Sequence, residues 1–294
     1  MRISVIIPNL DSPVVDRAVE AVQRQVGVQA DEILVVGRDR PGRLAGMEGI
    51  RLIETDGPRL PGAARSIGVA EASGDLLVFV DSDCVPEPDW LKAHLRRHQA
   101  GETVVGGAVR YDDENYWQLS DNLSMFHAVD IEAQEGPKPY LPTLNLSVRR
   151  EAWEAVGPMD PDLPSGEDID WTIRAAKAGH PPYLDPSAIL WHRPLRTTPR
   201  AIWAHWQRSG KWMVGVRRRH QDVYTVPTWI YRPLALLLFA PLIAVKATLP
   251  LYGPGMPGRR YWHTLPAVYA TMIAWCVGGL RPASVPIEHL GPDS

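Results

Sequence analysis

Cysteine is nearly absent. Cys84 and Cys276 are the only two among 294 residues, and no C-x-x-C pair occurs. A disulfide framework and a zinc knuckle are therefore not expected, and a reducing, cytosolic setting fits. Charge of either sign is not in large excess. The formal net charge is −3, so no nucleic-acid partner is expected. No G-x-G-x-x-G follows a first strand, which argues against a dinucleotide dehydrogenase. The opening MRISVIIPNL has one basic residue and an apolar run that stops at Pro8. That run is too short for the apolar region of a signal peptide. No internal repeat or low-complexity stretch is visible. Against these absences, 45% of the residues are hydrophobic, enough to fill one large domain or two small ones.

Short apolar runs alternate with helical patterns over the first hundred residues. RISVIIP and DLLVFVD read as buried strands, and DEILVVG and IRLIET as strands between them. A helix is expected over roughly residues 12 to 26, and another over LPGAARSIGVAEASG, ending near Gly74. This order predicts βαβ units and a mainly parallel sheet. Such sheets collect ligands at the carboxyl ends of their strands. Further on, PDWLKAHLRRHQ predicts a helix and TVVGGAVR a strand. Residues 111 to 140 read as a long loop with helical parts. PTLNLSVRR predicts a strand and REAWEAVG a short helix. SGEDIDWTIRAAKAG predicts a helix with Ser165 as N-cap. PYLDPSAILWHR is extended, and PRAIWAHWQRSGKWMVGVRRRH is helical with a break expected at Gly210.

Two carboxylate pairs carry the chemistry. Asp81 and Asp83 flank Ser82 at the end of an apolar strand. In an extended segment they project to one side and offer hard oxygen ligands to one divalent cation. Asp and Ser also favour turns, and a turn must come here. Both readings stand on the residues alone. Glu167 and Asp168 form the second pair. Ser165-x-x-Asp168 fits a capping box; equally, a carboxylate at a helix start can take a proton from an attacking hydroxyl. His192, closing ILWHR, offers a nitrogen ligand or is an ordinary partly buried histidine. Arg65 forms a local ion pair or meets a phosphate near its helix start.

In this order, SVIIPNLD, EILVVGRD, PGAARSIGVAEASGDLLVFVDSDCVPEPDWL, LNLSVRREAWEAVGPMDPDLPSGEDIDWTIRAAKAG and ILWHR resemble the family-2 glycosyltransferases, covering most of residues 3 to 192. The resemblance implies an α/β GT-A fold with a mainly parallel central sheet flanked by helices. It implies inverting transfer of a sugar from a nucleoside-diphosphate sugar to an acceptor hydroxyl, with Mn²⁺ or Mg²⁺ as cofactor. By the same resemblance Asp168 is the base, with Glu167 standing in. Asp81 and Asp83 hold the metal and diphosphate, joined by His192. Pro8, Asp39, Arg65 and Ser82 fall on the nucleotide-sugar side, and Asn145 and Arg149 on the acceptor side. One departure is plain: where many relatives have Asp-Asp-Gly-Ser, whose aspartate reads the base, this chain has Gly37-Arg38-Asp39-Arg40, with Asp39 displaced by a residue. QRSGKW has the wrong spacing for the Q-x-x-R-W of processive synthases, so polymerisation is not inferred. A sugar-nucleotidyltransferase shares the strand–helix layout, but PNLDSP lacks its Gly-rich phosphate loop. A non-catalytic homologue would be expected to have lost one of the four carboxylates.

Three segments are expected: a nucleotide-sugar half over residues 1–110, an acceptor half with the base over 111–198, and amphipathic and apolar helices over 199–294. The apolar run at 233–245, extended by its flanks, and a second at 264–280 are marginal spans. Ile202, Trp203 and Trp206 stand among Arg208, Lys211 and Arg217 to Arg219, a mixture suited to a membrane interface. Membrane association through residues from about 200 is expected, with a cytoplasmic catalytic domain and a lipid-linked or membrane-proximal acceptor.

Overall fold

The structure, a computed structural model, describes residues 1–283. The end of the expected C-terminal segment, residues 284–294, lies outside them. The chain divides into two compact units. The first comprises Met1–Asp112, Ala128–Asp162 and Glu167–Leu195; the second comprises Asp113–His127, Leu163–Gly166 and the described residues from Arg196 onward.

The first unit is built on a sheet. β1 (Ile3–Leu10), β2 (Glu32–Arg38), β3 (Arg51–Glu54) and β4 (Leu76–Val80) form its parallel side in the order β3-β2-β1-β4. Between them run α1 (Val15–Gln23) and α2 (Pro61–Glu71). All five residues of β4 are fully buried, as are Val5, Ile6 and Ile7 of β1, so their apolar runs need no alternation. β5 (Cys84–Pro86), α3 (Trp90–Gln99) and β6 (Val104–Tyr111) follow. The sheet continues through β8 (Asn145–Arg149), β6 and β9 (Tyr183–His192) to β5. β8 is antiparallel to β4 and β6, whereas β6 and β9 are parallel. The two-residue β7 (Gly136–Pro137) pairs with β9. α5 (Arg150–Val156) and α6 (Glu167–Lys177) complete this unit.

Glycines set two close approaches around α2. A Cβ on Gly68 would stand 2.5 Å from Ile6 Cγ2, and one on Gly62 would stand 2.9 Å from Glu167 Cγ. Helix α2 therefore lies against β1 at one end and against the start of α6 at the other.

The second unit is helical. α4 (Tyr116–Phe126) is a helical part of the stretch expected to be a long loop with helical parts, and Asn115 caps it by accepting from the Trp117 and Gln118 amides. α7 (Pro199–Arg219) runs unbroken for 21 residues. The break expected at Gly210 is absent, because this glycine serves packing. A Cβ there would overlap the carbonyl oxygen of Trp275 on α9 (Leu265–Gly279), and one on Gly278 would likewise overlap the Gln207 carbonyl. α8 (Pro233–Thr248) contacts α9. Ile202, Trp206, Val214, Leu236 and Trp275 share the core of this unit. The buried Asp121 carboxylate of α4 accepts from Arg196 Nε and Trp206 Nε1, each at 2.8 Å.

Candidate active site

β4 is the strand that delivers the first carboxylates. It ends at Val80, and the chain then turns at once: the Cys84 amide donates to the Asp81 carbonyl at 3.0 Å. Asp81, Ser82, Asp83 and Cys84 thus form a four-residue turn, with Ser82 and Asp83 at its centre. The extended geometry expected for Asp-Ser-Asp is replaced by this turn, and the two aspartates engage different partners.

Asp81 faces α2. Its Oδ1 accepts from Arg65 at 2.5 Å, while the other terminal nitrogen of Arg65 reaches Glu167 Oε1 at 2.8 Å. Arg65 is only 3% exposed, and its Nε is buried with no hydrogen-bond partner among the described residues. Asp168 follows at the start of α6, accepting from its neighbour Ile169 at 2.8 Å. One guanidinium therefore serves a cluster of three carboxylates. Burial, reinforced by the Asp168 charge and opposed by Arg65, pushes the Glu167 carboxyl up. Burial likewise raises Asp168, against the pull of Arg65 and of the Ile169 and Thr143 amides. Both carboxyls are thereby shifted towards the range where a proton acceptor works at neutral pH.

Asp83 faces β9. Its Oδ2 lies 3.6 Å from His192 Nε2. His192 ends β9 directly opposite Cys84 on β5. Asp83, Cys84 and His192 each bring one ligand atom within 4.8 Å of the others. Carboxylate oxygen and imidazole nitrogen are donors that a divalent cation such as Mn²⁺ accepts. The surplus of carboxylates nearby favours positive charge at this edge, so the residues present fit such an ion.

The remaining expected residues fall in three places. Pro8 lies near the end of β1, in register with Val36 of β2. Asp39 follows β2 and holds its own loop, accepting from the amides of Arg43 and Leu44. Asn145 lies opposite Val80, but its amide is used inside the fold. It accepts from Trp90 Nε1 and His94 Nε2 and donates to the carbonyls of Ala108 and Ala188. Arg149 pairs with Leu76, at the start of β4. Four strand steps put it about 13 Å along the sheet from the Asp81 end. It donates there to the His98 carbonyl. The structure thus brings Arg65, Asp81, Glu167 and Asp168 together, and Asp83 with His192. Asn145 and Arg149 are left out of both groups.

An ion pair at the ends of β1 and β2 was not anticipated. Asp11, at φ 56°, accepts from Arg38 Nε at 2.9 Å and Nη2 at 2.6 Å, and from the Arg40 amide. The Arg38 hydrogen bond holds the Asp11 carboxyl below its ordinary value. The signal was the departure at Gly37-Arg38-Asp39: an arginine stands where an acid was sought, and Asp11 answers it across the strand ends.

The sequence profile of Glycosyl transferase family 2 matches residues 4–157, more than half of the chain. Glycosyltransferase AglE of Haloferax volcanii is 34% identical over 119 residues, which is 40% of this chain and 39% of that protein. The match thus spans about two fifths of that relative's length. Among solved structures, the mannosyltransferase PcManGT from Pyrobaculum calidifontis, in complex with GDP-Man and Mn²⁺, aligns with a TM-score of 0.63 at 20% identity. That alignment covers 95% of this chain and 87% of the other. TarS 1-349 of S. aureus, in complex with UDP-GlcNAc, aligns with a TM-score of 0.52 at 13% identity, covering 92% and 90%. At these identities the likeness is one of fold, and the α/β fold is of the GT-A type. The matched profile, which runs from β1 through α5, makes this chain a member of glycosyl transferase family 2.

Proposed function

We propose that the chain moves a glycosyl group from a nucleoside-diphosphate sugar to an acceptor hydroxyl, inverting the anomeric carbon. The observation that carries this reading is the buried cluster in which Arg65 ties Asp81 at the end of β4 to Glu167 at the start of α6, beside Asp168. Glu167 makes the direct ion pair with Arg65, and burial raises Asp168 above the ordinary carboxylate value. Asp168 is therefore assigned as the base, with Glu167 as the second candidate: it takes the hydroxyl proton as the acceptor oxygen attacks. Arg65 keeps its carboxylate neighbours in place. Pro8, Asp39, Asp81 and Ser82 belong to the donor side, at the carboxyl ends of the parallel strands. Asp83 and His192 would hold a divalent cation, Mn²⁺ or Mg²⁺. Bound there, that ion offsets the charge that builds on a departing diphosphate.

Residues 1–110 form the donor half in this reading and 111–198 the acceptor half. Residues from about 200 attach the protein to a membrane, with the catalytic part on the cytoplasmic side and a lipid-linked acceptor. Support comes from the helical stretch Pro233–Tyr252, which is long and apolar enough to cross a bilayer while only 28% of its apolar window is buried. GDP-Man and UDP-GlcNAc, bound by the two structural relatives, are the donors to try first.

The test is release of nucleoside diphosphate from such donors by the purified chain, supplied with Mn²⁺ and a lipid extract. Release should stop in chelator and in Asp83→Ala, whose side chain lies in a turn outside the core. Undiminished release by the variant or by chelated protein would refute the assignment.

A further inference from the structure

β5 and β9 run antiparallel, with Cys84 directly opposite His192. Opposed residues of such a pair present their side chains on one face, with Cβ atoms about 4.5–5.5 Å apart. Asp83 adjoins this pair. Its Oδ1 lies 3.8 Å from Cys84 Sγ, and its Oδ2 lies 3.6 Å from His192 Nε2. All three side chains offer a ligand atom within 4.8 Å of the other two. Asp81 is engaged by Arg65 instead.

Oxygen, nitrogen and sulfur together are not the donor set of a Mg²⁺ site. Mg²⁺ takes oxygen ligands and water, whereas thiolate with imidazole and carboxylate suits Zn²⁺ and its neighbours in the divalent series. We propose that Asp83, Cys84 and His192 form a three-residue site for a borderline-soft divalent cation, Zn²⁺ or Co²⁺, and that Cys84 sets its metal preference. Mn²⁺ or Mg²⁺ engages Asp83 and His192 without the sulfur. When Zn²⁺ binds, the Cys84 S–H proton passes to solvent and the sulfur lone pair forms the metal–sulfur bond, with no change of oxidation state. Zn²⁺ then competes with Mn²⁺ for Asp83 and His192. The inference rests on the reading that Asp83 and His192 hold the working cation, and adds a ligand and a selectivity to it.

Co²⁺ titrated into the nucleotide-free full chain provides the test, followed by near-ultraviolet absorption. A cobalt–thiolate bond adds a sulfur-to-metal charge-transfer band that oxygen and nitrogen ligands do not give. The band should appear in wild type and in Cys276→Ser, and be lost in Cys84→Ser. In equilibrium dialysis, Cys84→Ser should weaken Zn²⁺ by more than the roughly tenfold that even an outer-shell partner costs, and leave Mn²⁺ nearly unchanged. Circular dichroism checks the fold of each variant. If Cys84→Ser does not fold, the wild-type spectrum decides alone. Folded wild type that fails to bind Co²⁺, or binds it without the band, overturns the proposal, as does Zn²⁺ affinity unaltered in Cys84→Ser. Any of these leaves the glycosyl-transfer reading standing. That reading fails separately, if Mn²⁺ does not support donor turnover.

Discussion

Asp168 is held in a buried group of like charges, and this arrangement fixes what its removal should do. A carboxamide at this position still accepts from the Ile169 amide, which the carboxylate now does at 2.8 Å. It also removes one negative charge beside Glu167. Asp168→Asn should therefore melt at or slightly above the wild-type temperature while kcat falls by roughly 10²–10⁴-fold, the range of a lost general base. Donor binding should persist. The pH dependence has a definite sign. Both carboxyls titrate above their ordinary values in the folded chain, so kcat should rise with pH through a window above the usual carboxylate range near 4. Over that window the folded state binds more protons than the unfolded one, so these groups make stability fall as pH rises. Melting temperatures of wild type and Asp168→Asn, measured from acid to neutral pH, should show the shallower fall in the variant. At this scale residue type and spacing singled out the four carboxylates and His192 as candidates. The partition between them was not legible. The Asp81–Cys84 turn sends Asp81 to Arg65 and Asp83 to His192, and a turn's direction is set by where the partners lie in space. The partners of Asn145 were hidden for a similar reason: its strand pairs with β4, but its side chain accepts from Trp90 and His94, far away in sequence.

Among the elements, apolar periodicity located the strands and most helices, and missed where polar groups are buried or glycines pack. The bounds of α4 were not placed within the expected loop with helical parts, because Ser120, Asp121, Asn122 and Ser124 are buried together with Leu119 and Leu123, which erases the apolar stripe that marks a helix. Its Asp121 is answered by Arg196 and Trp206, partners 75 and 85 residues away that no local pattern shows. Gly210 looked like a helix breaker and is instead a contact point. Gly210→Ala should press a methyl into the Trp275 carbonyl, and cost about 1–3 kcal/mol or more by overpacking. Gly57, where an added methyl would meet nothing within 4 Å, should accept alanine with little change. Denaturant unfolding of the two variants beside wild type checks the contrast. Equal stability of Gly210→Ala and wild type would show that α7 and α9 do not meet there.

Over the whole molecule, charge is distributed unevenly behind a near-neutral total. From Arg196 to Ala283 the chain carries twelve Lys or Arg residues and one acid, Asp222, although the net charge is −3. The same stretch exposes Leu234, Leu238 and Leu242 on α8 at 64–67%, and Trp262 at 74%. A helix apolar all round that buries only one stripe is out of place in water, and basic residues beside it favour an anionic surface. Fractionation of cells expressing the full chain should recover it with membranes, at low and high salt alike if the apolar face carries the attachment. Release by salt alone would assign attachment to the basic residues, and recovery in the soluble fraction under both conditions would remove the support for a lipid-linked acceptor. Composition shifts revealed the polar-to-apolar change near residue 200. They could not reveal that residues 113–127 belong to the helical unit, since that assignment depends on long-range packing against α9.

The most direct test of donor and metal binding is thermal stability of the purified chain with GDP- and UDP-sugars, each with and without Mn²⁺. A ligand that binds only the folded state raises the melting temperature by mass action, by an amount equivalent to about 2.7 kcal/mol at a hundred times its Kd. At least one nucleoside-diphosphate sugar should raise the Tm, Mn²⁺ should enlarge the rise, and Asp83→Ala should abolish the enlargement while remaining folded. A chain that no nucleotide sugar stabilises, or an Asp83→Ala variant stabilised as fully as wild type, would contradict the proposed site.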